Sequence, residues 1–546
     1  MRRVLAGVAA VAVVAAALSA CSTSRGGSGG ATSTITVNAD GAAAPTFTRN
    51  FNLVSPAGNV PAATYMFYEP LVRVDVQHGN VVKPWLAKAW SYGDGGRTLT
   101  FRLRDDVTWS DGKPFVAKDV AFTFEIPVRN PKLGAAPIGF SSVATPDEHT
   151  VVVTYPKPAY HDLSAYATRW IVPEHLWAGK NLASWTNPDP VGTGPYTLAS
   201  FSPQQITLSV RKHPWQGAFH GVRTVRLRSY ASESTIQQEL LKNTLTWSTI
   251  TWQDAKNEFV AKGKDNHYGG FAESGSTGLL FNCQQAPTSD VNVRRALYDA
   301  VDPAALISLF DNGATPPSPT GLAPATWNRY LAPEFRDRTH TADPAKARKE
   351  LAASGFTVRG GKLVKGGKAY PVRLTVVSEY TDWKARAPGI VQAWKKVLGL
   401  DATVAEIPAS QYAAHQTEGD FTVLYGFLAG GTDIVNALNP VLNSALSADG
   451  KPATGDFSRY RNAQVDKLLA DMAGTNDEAA LRTAAYAVER AVVRDVPFGT
   501  LNGNADGIEY NATDWGGWPD PASADHQPRI TGPDGVLTMR DLTAKH

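Results

Sequence analysis

Residues 98–125 read TLTFRLRDDVTWSDGKPFVAKDVAFTFE, a strand, a turn and a helix in one segment. Thr98 to Leu103 alternates polar and apolar side chains at period two, which predicts a strand with one buried face. Asp111-Gly112 supplies the turn. After Lys118, the run Asp119 to Glu125 predicts a helix capped by Asp119, and Pro127 and Pro131 bring it to an early end.

Working outward, Val151 to Thr154 and Gln205 to Val210 read as further strands, and the chain from Ile35 to about Tyr268 consists mostly of short β-branched and aromatic runs between turn residues. The second half changes character. Val291 to Phe310 carries apolar residues at 293, 296, 297, 300, 301 and 306, a helical face. Asp343-Pro344 is an N-cap followed by proline at the first helical position, and Gly355 is the matching stop. Leu363 to Val377 predicts a hairpin turning at Gly366-Gly367, followed by a helix near Gly389 to Leu398 and a strand over Ala402 to Ile407. Val465 to Met472 and Glu478 to Val493 add two amphipathic helices. Strands alternating with helices predict an α/β lobe with its own sheet.

The 546 residues suffice for several domains, and 43% hydrophobic content supports at least two buried cores. Lys and Arg total 53 against 50 Asp and Glu, spread evenly, so no phosphate-tracking surface and no nucleic-acid partner is expected. The two cysteines, Cys21 and Cys283, exclude a disulfide framework and a four-thiolate zinc site. Arg2 and Arg3 precede the apolar run Val4 to Ala17, which leads into Leu18-Ser19-Ala20-Cys21, the layout of a signal peptide over residues 1–20. The alternative is an uncleaved anchor, for which Val4 to Ala20 is marginal in length. Residues 21–33 continue as a Gly/Ser/Thr-rich flexible tether.

The chain contains no HExxH, no GxxxxGK[ST], no GxGxxG after a strand and no CxxC, and its 11 histidines are scattered. No catalytic residue, no metal ligand and no cofactor is therefore assigned, and no enzyme is expected. The 14 Trp, 18 Tyr and 20 Phe are the unusual feature. Trp247, Trp252, Trp515 and Trp518 fall in polar, turn-rich contexts, where an indole either stacks on a ligand or fills a core.

Several segments together resemble the family 5 extracellular solute-binding proteins, the oligopeptide and dipeptide receptors of ABC importers. Tyr68-Glu69-Pro70-Leu71 with Lys83-Pro84-Trp85-Leu86-Ala87-Lys88-Ala89-Trp90 is similar to the family's opening; residues 98–125 are the strongest match; Gly192-Thr193-Gly194-Pro195-Tyr196 and the helix DVNVRRALYDAVD, residues 290–302, also match. Leu18 to Cys21 resembles the bacterial lipobox, which makes Cys21 the lipidated residue.

The resemblance implies an α/β, two-lobe periplasmic-binding-protein type II (cluster C) fold with a hinge and an extra domain inserted in the first lobe. The expected division is lobe I over 34–79, 190–275 and 503–546, the extra domain over 80–189, and lobe II over 276–502, with crossovers near Ser276 to Cys283 and Thr500 to Asp506. It also implies a monomer, lipid-anchored to the outer face of the cytoplasmic membrane, that hands its ligand to an ABC permease and ATPase complex. The expected ligand contacts are Asn52, Trp247, Trp252, Phe427, Asp433 and Trp515. In peptide-binding members an acid following a Gly-Trp pair holds the peptide α-ammonium; here the similar stretch is Gly426-Phe427-Leu428-Ala429-Gly430-Gly431-Thr432-Asp433, with Gly430 at the acid's position. Either Asp433 takes that role through a shifted loop or the contact is missing. Peptides are the leading ligand class and oligosaccharides the alternative.

Overall fold

The computed structural model describes residues 33–41, 45–56, 60–130, 133, 139–250, 252–309, 314–316, 318–520 and 524–545. The expected signal peptide over residues 1–20, Cys21 and the expected tether as far as residue 32 lie outside the described residues. Ten strands form the main sheet: β1 (Thr34–Asn38), β2 (Tyr196–Ser202), β3 (Gln205–Val210), β4 (Thr224–Arg228), β5 (Trp247–Ser248), β6 (Asn266–Phe281), β7 (Arg373–Val377), β8 (Thr403–Ile407), β9 (Val423–Phe427) and β10 (Phe498–Asn511). Their order is β8-β7-β9-β6-β10-β5-β1-β4-β3-β2. The long strands β6 and β10 pair antiparallel from Asn266 with Asn511 to Leu280 with Phe498, and so belong to both halves of the sheet. Midway the register slips. Ala272 faces Ala505 and Ser276 faces Gly503, so residues 273–275 stand against Asn504 alone.

On one side of this pair, β5, β1, β4, β3 and β2 back onto a core containing Ile35, Val37, Leu208 and Val225. The same core continues into a four-stranded antiparallel sheet of Ala87–Gly93, Thr98–Leu103, Thr150–Thr154 and Ser142–Asp147, covered by helix Ala117–Arg129. On the other side, alternate residues feed two cores: Leu279, Phe281, Val423 and Tyr425 enter one, and Leu280 and Leu424 the other. Helices cover both faces, the arrangement the alternating half predicts.

Residues 98–125 form strand, turn and helix, with two corrections to the expected helix. The helix begins at Ala117 rather than Asp119: Asp119 is its third residue and accepts the Val116 N–H at 3.0 Å, closing the first turn from within. Pro127 sits inside the helix, where its missing N–H withdraws one bond from the Thr123 carbonyl near the end. Similarly, the helical face from Val291 is two helices, Val291–Asp299 and Pro303–Ile307, because Asp302 caps the second and Pro303 opens it. The predicted Leu363–Val377 hairpin is confined to Lys362–Lys365 and Lys368–Tyr370, while Arg373–Val377 enters the main sheet as β7. The helix near Gly389 starts earlier, at Thr381.

The other recognised segments are packing knots. Glu69 is buried and accepts from Trp85 Nε1 at 2.9 Å, Trp215 Nε1 at 2.8 Å and Gln216 Nε2 at 2.5 Å. A Cβ at Gly192 would lie 1.9 Å from the Phe67 carbonyl oxygen, and one at Gly194 would lie 2.3 Å from that of Met66, so the turn between them requires glycine.

Candidate functional site

Three parallel strands, β8, β7 and β9, end at Ile407, Val377 and Phe427 and lead into helices α1 (Thr381–Leu398), α2 (Ala409–Glu418) and α3 (Ile434–Leu442). The chain passes from β7 to β8 on one side and then returns to β9 on the other. Such a reversal opens a crevice at the carboxyl ends of the strands. Phe427 is 51% exposed and Tyr380 37% exposed there, unusual for large apolar side chains. Both pack on Trp383, with ring centroids 5.1 and 4.9 Å away, and Trp383 in turn stacks on buried Tyr425 at 4.8 Å. An exposed aromatic pair thus rests on a fixed base. Beside it, Asp382 pairs with the buried guanidinium of Arg386 at 2.8 Å. Burial holds the Asp382 carboxyl above its ordinary range despite that partner. Glu233, from the strand-rich half, is raised by burial and then by the negative charge of Asp382, so carboxyls approach from both sides of the crevice.

Beyond Phe427, the loop from β9 into α3 is held to the first half of the chain by hydrogen bonds. His161 Nδ1 lies 3.0 Å from the Asp433 carboxylate, and His161 Nε2 lies 2.7 Å from the Thr475 carbonyl. Asn436 Nδ2 donates to the His161 carbonyl at 2.5 Å, and Asn80 Nδ2 donates to the Gly431 carbonyl at 3.0 Å. Burial lowers the His161 pKa, but the Asp433 carboxylate and the carbonyls outweigh it and raise the group above its ordinary value. Asp433 also caps α3 by accepting the Val435 N–H at 2.8 Å. Its carboxylate is therefore already shared between a helix end and an imidazole.

Gly430, at the position aligned with the ammonium-binding acid, has no free space on its side-chain side. A Cβ there would lie 3.1 Å from Gly275 Cα of β6. The loop is pinned to the same strand by Leu428 N–H to the Ser276 carbonyl at 2.8 Å and by Ser276 N–H to the Ala429 carbonyl at 3.0 Å.

Of the six expected ligand contacts, the structure brings Phe427 to the crevice and Asp433 to its wall. Trp252 is buried, stacks on Phe259 at 5.3 Å and donates to Glu258 at 2.6 Å. It also lines a cavity of about 530 Å³ that Ser308 and Leu309 close from the other half. The remaining three lie elsewhere. Asn52 is buried and its amide donates to the Leu182 and Trp185 carbonyls, both at 2.8 Å. Trp247 packs edge-on against Trp518 at 5.2 Å, and Trp515 is buried in a short strand paired with Thr543–Ala544. Sequence reasoning missed Tyr380, Trp383, Asp382, Glu233 and His161. An aromatic pair directly after a predicted strand, Tyr380 and Trp383, was the available signal for the first two. Burial pushes the Cys283 thiol up to about 12, so it offers no thiolate at neutral pH.

Residues 81–449 match the family model of the bacterial extracellular solute-binding proteins, family 5 Middle. A Brucella ovis protein named as a candidate ABC transporter peptide-binding protein is 27% identical over 478 residues, 83% of this chain and 85% of the relative. The nickel-binding periplasmic protein of Escherichia coli is 26% identical over 457 residues, 79% and 82% of the two chains. In fold, the chain is similar to a periplasmic oligopeptide-binding protein of Thermotoga maritima, with TM-score 0.83, 23% identity, and coverage of 94% of this chain and 99% of the other. A mannohexaose-bound structure of that protein matches with TM-score 0.77.

Proposed function

Because the chain belongs to the bacterial extracellular solute-binding proteins, family 5, a family of receptors and not of catalysts, we propose that it captures peptides in the crevice between its two lobes. It then delivers them to the permease and ATPase of an ABC importer. The observation that carries the crevice is the exposed Phe427 and Tyr380 pair on the fixed Trp383 base, facing Glu233 from the opposite wall. Peptides are favoured by what the Brucella and Thermotoga relatives are named for. We assign lobe I to 34–79, 190–275 and 503–546, the inserted domain to 80–189 and lobe II to 276–502. The strands β6 and β10 then serve as the hinge, and closure is favoured by ligand only through contacts to both lobes. Cys21 carries the lipid anchor, and the receptor works as a monomer on the outer face of the membrane.

One observation favours the second reading, an oligosaccharide. Gly430 leaves no room for an acid and Asp433 is already engaged, so no acid of the loop is free to hold an α-ammonium, while an exposed aromatic pair suits a sugar face. The Thermotoga protein was solved with mannohexaose bound. The deciding experiment is a thermal-shift screen of protein unfolded and refolded to strip bound ligand, against short peptides and β-linked oligosaccharides. Ligand at 100 times its Kd stabilises by ~2.7 kcal/mol. Stabilisation by peptides establishes the first reading and stabilisation by glycans alone the second; a protein that responds to neither sinks both.

A further inference from the structure

A cavity of about 510 Å³ lies on the border between the two halves, and none of the crevice's aromatic side chains lines it. His78 and Gly79, in the turn between the paired strands Val72–Asp75 and Val81–Pro84, form one side. Asn328, Arg329, Arg336, Arg482 and Tyr486 form the other, and no acidic side chain lines it.

The charge is concentrated and uncompensated. None of the three arginines pairs with a carboxylate among the described residues: Arg329 lies over the Tyr330 ring, and Arg336 Nη2 donates to the Leu331 carbonyl at 3.3 Å. Arg336 Nε is buried without any acceptor. Other arginines of the same helix, Glu478–Asp495, behave differently, since Arg490 pairs with Glu334 at 2.6 Å and Arg494 with Asp495 at 2.7 Å. The carboxyl that feels Arg336 is Glu489, which is fully buried, accepts the Ala332 N–H at 3.0 Å and is pushed up to about 8 by its burial. His78 gives its Nδ1 to Asp75 at 2.8 Å, which leaves Nε2 as the ring nitrogen available to the cavity.

A buried guanidinium nitrogen without an acceptor is costly unless something supplies one. Three guanidiniums and an imidazole lining one space, with no acid among them, match the oxygens of a multiply charged oxyanion, which can accept two parallel N–H bonds from a guanidinium. We propose that this groove is a binding site for a phosphate-bearing oxyanion. Since His78 stands on one wall and the arginines on the other, the bound anion ties the two halves together.

The anion comes either from solution or from a lipid headgroup, and the test separates these sources. The full chain is titrated calorimetrically with sodium tripolyphosphate at low salt, and is sedimented with vesicles of phosphatidylglycerol or of phosphatidylcholine. Saturable tripolyphosphate binding that falls about tenfold for each of Arg336→Gln and Arg482→Gln supports a soluble anion, a charge-assisted bond being worth roughly that factor. Sedimentation with phosphatidylglycerol alone, lost in the same variants, supports a headgroup. In either case His78→Ala weakens binding a few-fold if the anion spans the border. Binding that both arginine variants retain overturns the site. So does the absence of binding to either probe together with loss of uptake in the double variant, which would assign the groove to an acidic protein partner. Arg482 is exposed, so Arg482→Gln keeps the test valid should Arg336→Gln fail to fold.

Discussion

Asp119 in the first half and Asp382 in the second are both largely buried carboxyls raised by their surroundings, yet they are used in opposite ways. Asp119 accepts three hydrogen bonds, from Trp109 Nε1 at 3.0 Å, Val116 N–H at 3.0 Å and Glu174 N–H at 2.9 Å, all from segments that flank its own helix in the same part of the chain. Asp382 meets one guanidinium and faces a second carboxyl across the crevice. A carboxyl whose lone pairs are all met inside its own unit specifies a fold; one that faces like charge across a gap is poised for something that arrives later.

The comparison breaks most severely at Asp119. Asp119→Ala leaves three donors without their acceptor, two of them backbone, and is expected to cost about 3 kcal/mol or more. Denaturant unfolding measures it, and ligand affinity per folded molecule should be unchanged. At the crevice the expectation reverses. Phe427→Ala should weaken ligand binding by ~1–3 kcal/mol, since the ring is an exposed anchor, with a stability change within about 0.5 kcal/mol. Calorimetry and melting on the same sample separate the two effects, and a large melting shift with unchanged affinity would return Phe427 to the scaffold.

The smallest effect is a pH dependence at the wall. His161 is raised above its ordinary value when it sits between Asp433 and the Thr475 carbonyl. Its stabilising contribution is therefore complete below about pH 6.5 and is lost as pH rises through the elevated value. Ligand affinity should fall a few-fold across that window, and the dependence should flatten in His161→Gln. An affinity that is level with pH in the unaltered protein would remove His161 from the closing contacts.

What the sequence disclosed follows the same division. Local patterns such as Thr98–Leu103 or Asp343-Pro344 carry their structure within a few residues, and the buried knots at Glu69 and Asp119 fall in recognisable segments because each fixes a unique packing. The split at Asp302-Pro303 carried the same cap signal as Asp343-Pro344, but the continuous apolar face concealed it. The crevice has no such local signature. His161 meets Asp433 from 272 residues away, and Glu233 approaches Asp382 only once both halves of the main sheet have formed. Trp247 and Trp515 stand in turn-rich sequence because short strands end there, and their rings are buried in the core beneath.

The two backbone bonds between the loop 428–429 and Ser276, with Gly430 against Gly275, have a practical consequence for anyone reshaping this receptor. The loop has neither slack nor room, so insertions there would detach it from the strand that sets its position. New ligand preferences have to be sought by exchanging the outward side chains at 380, 427 and 233, while the main chain between Gly426 and Gly431 is left as it is.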